Sequence, residues 1–180
     1  TRHSVLNKRY FLLNLSPPAG EGEKIINFDF LFGAPKFIVV KFTEREMGEY
    51  QHFVAKPLSG AVGAVLHGIN ISLDLEEVHI TEIRKALLEY LVIFFREQNL
   101  SDERLMTFGR YFGELYLHPN LAKKGPYPEV IHVVKEPDAT RVVGAEWHTD
   151  TGHVECPPMG AILHALEVPP KGGDTLFANQ

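Results

Sequence analysis

The chain has 180 residues, 44% of them hydrophobic and 23% charged, with a formal net charge of -5. That composition excludes an intrinsically disordered chain and suits one ordinary domain with a core. Nucleic acid is excluded as an expected partner, because the basic pieces "NKR" and "AKKG" are short and isolated. The single cysteine, Cys156, rules out an internal disulfide.

Residues 1 to 46 carry an apolar patch with Lys8 and Arg9 ahead of "YFLLNL", a Pro-Pro-Ala-Gly turn at 17 to 20, and the run "INFDFLFGAPKFIVVKF". Periodicity is weak here and assigns this segment no role. Next, "HFVAKPLSGAVGAVLHGINISLDL" has Gly60, Gly63 and Gly68 punctuating β-branched pieces, which predicts two short strands and tight turns. From Glu76 the period becomes helical, with Val78, Ile83, Leu87 and Tyr90 or Leu91 expected on the buried face. "VIFFRE" at 92 to 97 predicts a buried strand. Ser101 is a good helix N-cap, Asp102 and Glu103 suit the first turn, and Gly113 can close a helix carrying Leu105, Phe108 and Phe112.

Further strands are expected at "EVIHVVK" (129 to 135), "GAILHALEV" (160 to 168) and "DTLFAN" (174 to 179). The expected fold class is mixed α/β and β-rich, with helices packed outside the sheet. No apolar run is long enough to span a bilayer, and the N-terminus lacks a signal-peptide cleavage site, so a soluble, cytoplasmic protein without a membrane partner is expected.

The richest chemistry lies in "EWHTDTGHVECPPMG", residues 146 to 160. His148 and Asp150 are two apart, so on extended backbone both side chains leave one face and could grip one ion. An imidazole nitrogen, a carboxylate oxygen and a second histidine from elsewhere make the facial triad of non-haem Fe(II) oxygenases. The spacing alone is weak evidence: with nine histidines and 23 acidic residues, roughly one His-x-Asp/Glu arises by chance, and His153-x-Glu155 is a second instance. A hydrogen-bonded loop is the competing reading.

Context shifts the balance. The stretch "EWHTDTGHVECPPMGAILHALEVPPKGGDTLFANQ", preceded by "PLSGAVGAVLHGINISLDL" and "LLEYLVIFFREQNLSDERLMTFGRYFGELYLHP", resembles the taurine dioxygenase/TfdA family of Fe(II)- and 2-oxoglutarate-dependent dioxygenases, from about residue 51 to 180. The resemblance implies a double-stranded β-helix (jelly-roll, cupin-like) core with flanking helices, incomplete in this chain. It implies Fe(II) as the metal, 2-oxoglutarate as cosubstrate and O2 as oxidant, with succinate and CO2 released as a small anionic substrate is hydroxylated. His148 and Asp150 match the first two iron ligands, Thr175 in "GGDTLF" the threonine that contacts the 2-oxoglutarate carboxylate, and His118 in "LYLHP" a histidine that binds the substrate's anionic group. His153 and Glu155 are then loop groups, Trp147 is expected to bury its ring beside the site, and Cys156 to pack as a small residue. Gly172 and Gly173 read as turn residues, and His132 and His164 as strand residues in or near the core.

Departures narrow the substrate. Leu121 and Gly144 stand where the taurine enzymes have a tyrosine and an asparagine, so sulfonates, sulfate esters and aryloxyalkanoates all stay open. The family's third ligand, a histidine, and its 2-oxoglutarate-binding arginine fall beyond Gln180, so the chain is expected to be a fragment, the N-terminal portion of a dioxygenase: 1 to 46 of unknown role and 47 to 180 as the family-like part. The rival expectations are a non-catalytic remnant or metal-binding module of the same fold, and a cupin-like Fe or Zn protein using His148, Asp150 and His153. Homo-oligomerisation is left open.

Overall fold

A computed structural model describes residues 50–119, 125–136, 139–140, 144, 146–169 and 174–179, and the backbone of 6–14. The run 15–49, Leu121 and the Gly172–Gly173 turn lie outside the described residues. The chain is mixed α/β, with seven strands and two helices among those residues.

The first layer grows from the glycine-punctuated stretch. Strands β2 (Val54–Pro57) and β3 (Ala64–His67) pair antiparallel, with Val54 opposite His67 and Pro57 opposite Ala64. The turn between them depends on Gly63, whose φ of +97° suits a residue without a Cβ. Strand β4 (Ile93–Phe95) then joins β3 in parallel, Ala64 opposite Ile93. A parallel partner needs a crossover, and helix α1 (Glu77–Tyr90) supplies it.

Helix α1 buries Ile80, Ile83, Ala86 and Tyr90. This corrects the face expected from periodicity: Ile83 and Tyr90 belong to it, but Val78 and Leu91 are 42% and 48% exposed. The spacing 80, 83, 86/87, 90 satisfies the helical repeat as well as the set that begins at Val78, so packing into the shared core decides between them. Leu91 caps the helix in left-handed conformation, φ +64°, its N–H donating to the Leu87 carbonyl at 2.8 Å, a position that favours glycine. Strand β4 is shorter than expected and only half-buried.

Helix α2 (Asp102–Arg110) begins as its sequence predicts. The Ser101 hydroxyl accepts the Arg104 N–H at 3.1 Å, and Asp102 and Glu103 occupy the first turn against the positive end of the helix dipole. Leu105, Phe108 and Phe112 are all buried. Phe108 contacts Phe95 and Phe112 edge-to-face, at centroid distances of 5.7 and 5.3 Å.

The second layer is a four-stranded sheet with β1 (Leu6–Asn14) at its centre. One edge of β1 pairs antiparallel with β6 (Ile131–Lys135) and then β5 (Glu114–Tyr116); β7 (Gly160–Glu167) also pairs antiparallel with β1. Strands β1 and β5 are not evident from the sequence patterns. The expected strand at 174 to 179 is absent: 174–179 is irregular and exposed, with Leu176 71% accessible. The core centres on β2, β3 and the two helices, and reaches the four-stranded sheet through Val130, Leu115 and Ile162. No helix among the described residues is long and apolar enough to cross a membrane.

Candidate metal-binding site

The 146–150 loop lies between β6 and β7. Three backbone features shape it. Gly144 has φ +74°, and a Cβ there would lie 3.4 Å from Cε1 and 3.9 Å from Nε2 of His148. Thr151, immediately after Asp150, adopts φ +49°, a strained conformation for a β-branched residue. At Gly152 a Cβ would come 3.0 Å from the Thr149 hydroxyl, a tight approach that would make that side chain shift by a few tenths of an ångström.

These constraints bring the two expected ligands together. His148 Nδ1 lies 2.6 Å from the Glu146 carbonyl oxygen, and His148 Nε2 lies 3.5 Å from Asp150 Oδ1. A carbonyl can only accept, so Nδ1 carries a proton and donates it. In the neutral ring Nε2 then presents a lone pair toward the carboxylate. Two acceptors facing each other repel unless a cation lies between them, either a second ring proton or a metal ion. Donors each about 2.1 Å from one ion, at angles of about 90–110°, stand roughly 3.0–3.4 Å apart, close to the observed separation. An imidazole nitrogen oriented by a backbone carbonyl, paired with a carboxylate oxygen, is a donor set suited to a divalent transition metal. Both side chains are about half exposed, at 52% and 45%. The Thr151 hydroxyl next to them is buried and has no hydrogen-bond partner among the described residues.

No third His, Cys, Asp or Glu joins the pair among the described residues. His153 and Glu155 are exposed. Thr175 instead lines an apolar cavity of about 190 Å³ with Leu58, Val62, Phe94, Leu176 and Phe177; neither His148 nor Asp150 borders it. His118, half-buried just past β5, meets the Tyr116 ring edge-on at 6.2 Å.

Two expectations fail. Trp147 is 69% exposed rather than buried, as the whole 146–150 stretch lies at the surface. Cys156 is exposed rather than packed as a small core residue. His132 and His164 do lie on β6 and β7, and are half-buried. His132 Nε2 is 3.6 Å from Asp102 Oδ2, a link between sheet and helix that the sequence did not reveal. Gly144 is a further contributor, read in the sequence only as a departure; the glycine four residues before His148 was the signal for a close approach.

Comparison with known proteins places this geometry in context. The family model described as taurine catabolism dioxygenase TauD, TfdA family, matches residues 55–180. A sulfate ester dioxygenase of Pseudomonas putida, named as alpha-ketoglutarate-dependent, is 34% identical over 125 residues, 68% of this chain and 40% of that protein. An alkylsulfatase of Acinetobacter baylyi is 35% identical over 131 residues, covering 72% and 40%. An alpha-ketoglutarate-dependent sulfonate dioxygenase of Saccharomyces cerevisiae is 28% identical over 149 residues, covering 77% and 35%. The chain thus spans about two fifths of the length of these relatives, and it belongs to the TauD/TfdA family.

Proposed function

We propose that this member of the TauD/TfdA family belongs to an Fe(II)- and 2-oxoglutarate-dependent dioxygenase acting on a small anionic organic molecule, with a sulfate ester or sulfonate favoured and an aryloxyalkanoate less so. The observation that carries the reading is His148 Nε2 held 3.5 Å from the Asp150 carboxylate, with Nδ1 turned to the Glu146 carbonyl. The names of the P. putida and S. cerevisiae relatives support the substrate class. In this reading the β1-centred sheet is part of a double-stranded β-helix with α1 and α2 packed outside it.

Bound Fe(II) with 2-oxoglutarate couples oxidative decarboxylation of the cosubstrate by O2 to hydroxylation of the substrate, releasing succinate and CO2. The residues of this chain do the positioning. The Glu146 carbonyl would fix the His148 tautomer, so that Nε2 and the Asp150 carboxylate would hold the metal together with donors from elsewhere. Thr175, which lines a cavity that neither His148 nor Asp150 borders, would contact a carboxylate oxygen of 2-oxoglutarate, a role that rests on the family resemblance. His118, when protonated, offers a cationic N–H to the substrate's sulfate, sulfonate or carboxylate.

The test is a turnover assay with Fe(II), ascorbate and 2-oxoglutarate over alkyl sulfates, alkanesulfonates and aryloxyalkanoates. Succinate formation that depends on one of these classes and disappears in Asp150→Ala is the expected result. A metal-binding module without turnover is the second reading, favoured by the presence of only two ligands among the described residues. Metal bound without succinate formation would select it.

A further inference from the structure

Strands β5, β6 and β7 form no ladder with one another; among the described residues each is hydrogen-bonded to β1 alone. Yet β1, at Leu6–Asn14, precedes the residues 55–180 that match the family model. The centre of this sheet is therefore filled from outside the family-matched region. The consequence falls on the metal loop. It leaves β6 at Lys135 and enters β7 at Gly160, and both strands lie against β1, with Arg9 opposite His132 on β6 and opposite His164 on β7. Two strand spacings of about 4.8 Å then set the gap between β6 and β7 at roughly 10 Å. Empty, that gap is a slot one strand wide with unpaired N–H and C=O groups along both sides, which any extended segment could fill.

We propose that Leu6–Asn14 is an intramolecular complementing strand: it fills this slot and thereby holds apart the two strands that carry the His148–Asp150 loop. The composition "RYFLLN" suits the role, being rich in aromatic and apolar strand formers. The pairing stands on the ladders alone, whereas its effect on metal binding rests on the function proposed above. A strand bonded along both edges has no place for proline, because every N–H is used. Tyr10, which faces Ile131 on β6 and Leu163 on β7, is the position to disrupt.

Hydrogen–deuterium exchange on the intact 180-residue chain tests the pairing without any variant. Amides of 8–13 exchanging as slowly as those of β6 and β7 are expected; exchange of 8–13 at free-peptide rates beside a protected β6 and β7 overturns the proposal. In the full-length Tyr10→Pro chain, protection of β5, β6 and β7 should fall at least tenfold while α1 and β2–β4 keep theirs. A synthetic peptide of residues 1–15 should restore it, and the same peptide carrying Tyr10→Pro should not. Unchanged protection of β6 and β7 in Tyr10→Pro contradicts the proposal. Co(II) affinity should follow the same pattern, weakening at least tenfold in Tyr10→Pro and recovering with the peptide. Co(II) binding that ignores both Tyr10→Pro and His148→Ala would sink the metal reading while leaving the strand complementation intact.

Discussion

At the scale of single residues, the site is an arrangement of glycines and one anchored ring. Gly144 both takes a left-handed φ of +74° and leaves room beside the Cε1–Nε2 edge of His148. Alanine there must adopt a conformation that costs L-residues about 1–2 kcal/mol, and its methyl meets the ring. Gly144→Ala should therefore destabilise the fold by about that amount and weaken metal binding, read by thermal unfolding with and without Co(II). Trp147 gives a second handle. It is the only tryptophan in the chain, it is exposed, and it adjoins His148. Fe(II) or Co(II) bound by His148 and Asp150 should quench its emission in a saturable way, and Asp150→Asn should remove that quenching. The proximity of His148 and Asp150 was legible in the sequence, because "WHTD" sets the two side chains two residues apart. What stayed hidden was orientation. The Glu146 carbonyl that selects the His148 tautomer is a backbone group with no sequence signature, and the exposure of Trp147 goes with a surface loop whose burial the sequence does not encode.

At the scale of elements, helix α1 shows where pattern stops and packing takes over. Its existence, its limits to within one residue and the capping of α2 by Ser101 were all readable from propensity and period. Which residues face inward was decided by packing into the common core, so that Ile80 and Ala86 replaced Val78 and Leu91. Elements short of a turn or four residues carried too little period to read, as with β5 at Glu114–Tyr116. The same helix ties down the start of the domain. Glu82 accepts the backbone N–H groups of Gln51 and His52 at 3.0 and 3.1 Å, and its Oε2 lies 3.2 Å from His52 Nδ1. Burial acts to raise its pKa, but these hydrogen bonds outweigh it and hold the carboxyl below its ordinary value. A lowered carboxylate pKa contributes stability that is fully present above the unfolded-state value of about 4.3 and is lost as pH falls through the folded one. Glu82→Gln should accordingly be less stable than the parent at pH 7, and the difference should shrink below about pH 4, measured by urea unfolding across pH. A constant difference would mean that Glu82 acts through packing alone.

At the scale of the whole molecule, two layers divide the labour. The helices and the β2–β3–β4 sheet hold the core, whereas the β1-centred sheet carries the loop with the ligand pair. The mixed α/β class followed from the alternation of β-branched runs with helical periods. The central place of β1 did not, because its partners are 100 or more residues away in sequence and a strand's neighbours leave no mark on its own composition. Loss of an orienting partner alone typically weakens a metal site 10–100-fold, so removal of His148 or Asp150 should exceed that. The most direct measurement is an anaerobic titration of the intact chain with Fe(II) followed by 2-oxoglutarate, watching for the visible charge-transfer band of iron chelated by a 2-oxo acid. The account predicts a saturable band that vanishes in both His148→Ala and Asp150→Ala. A band that persists in either variant, or the absence of any band in a chain whose circular dichroism is that of the folded protein, would contradict it.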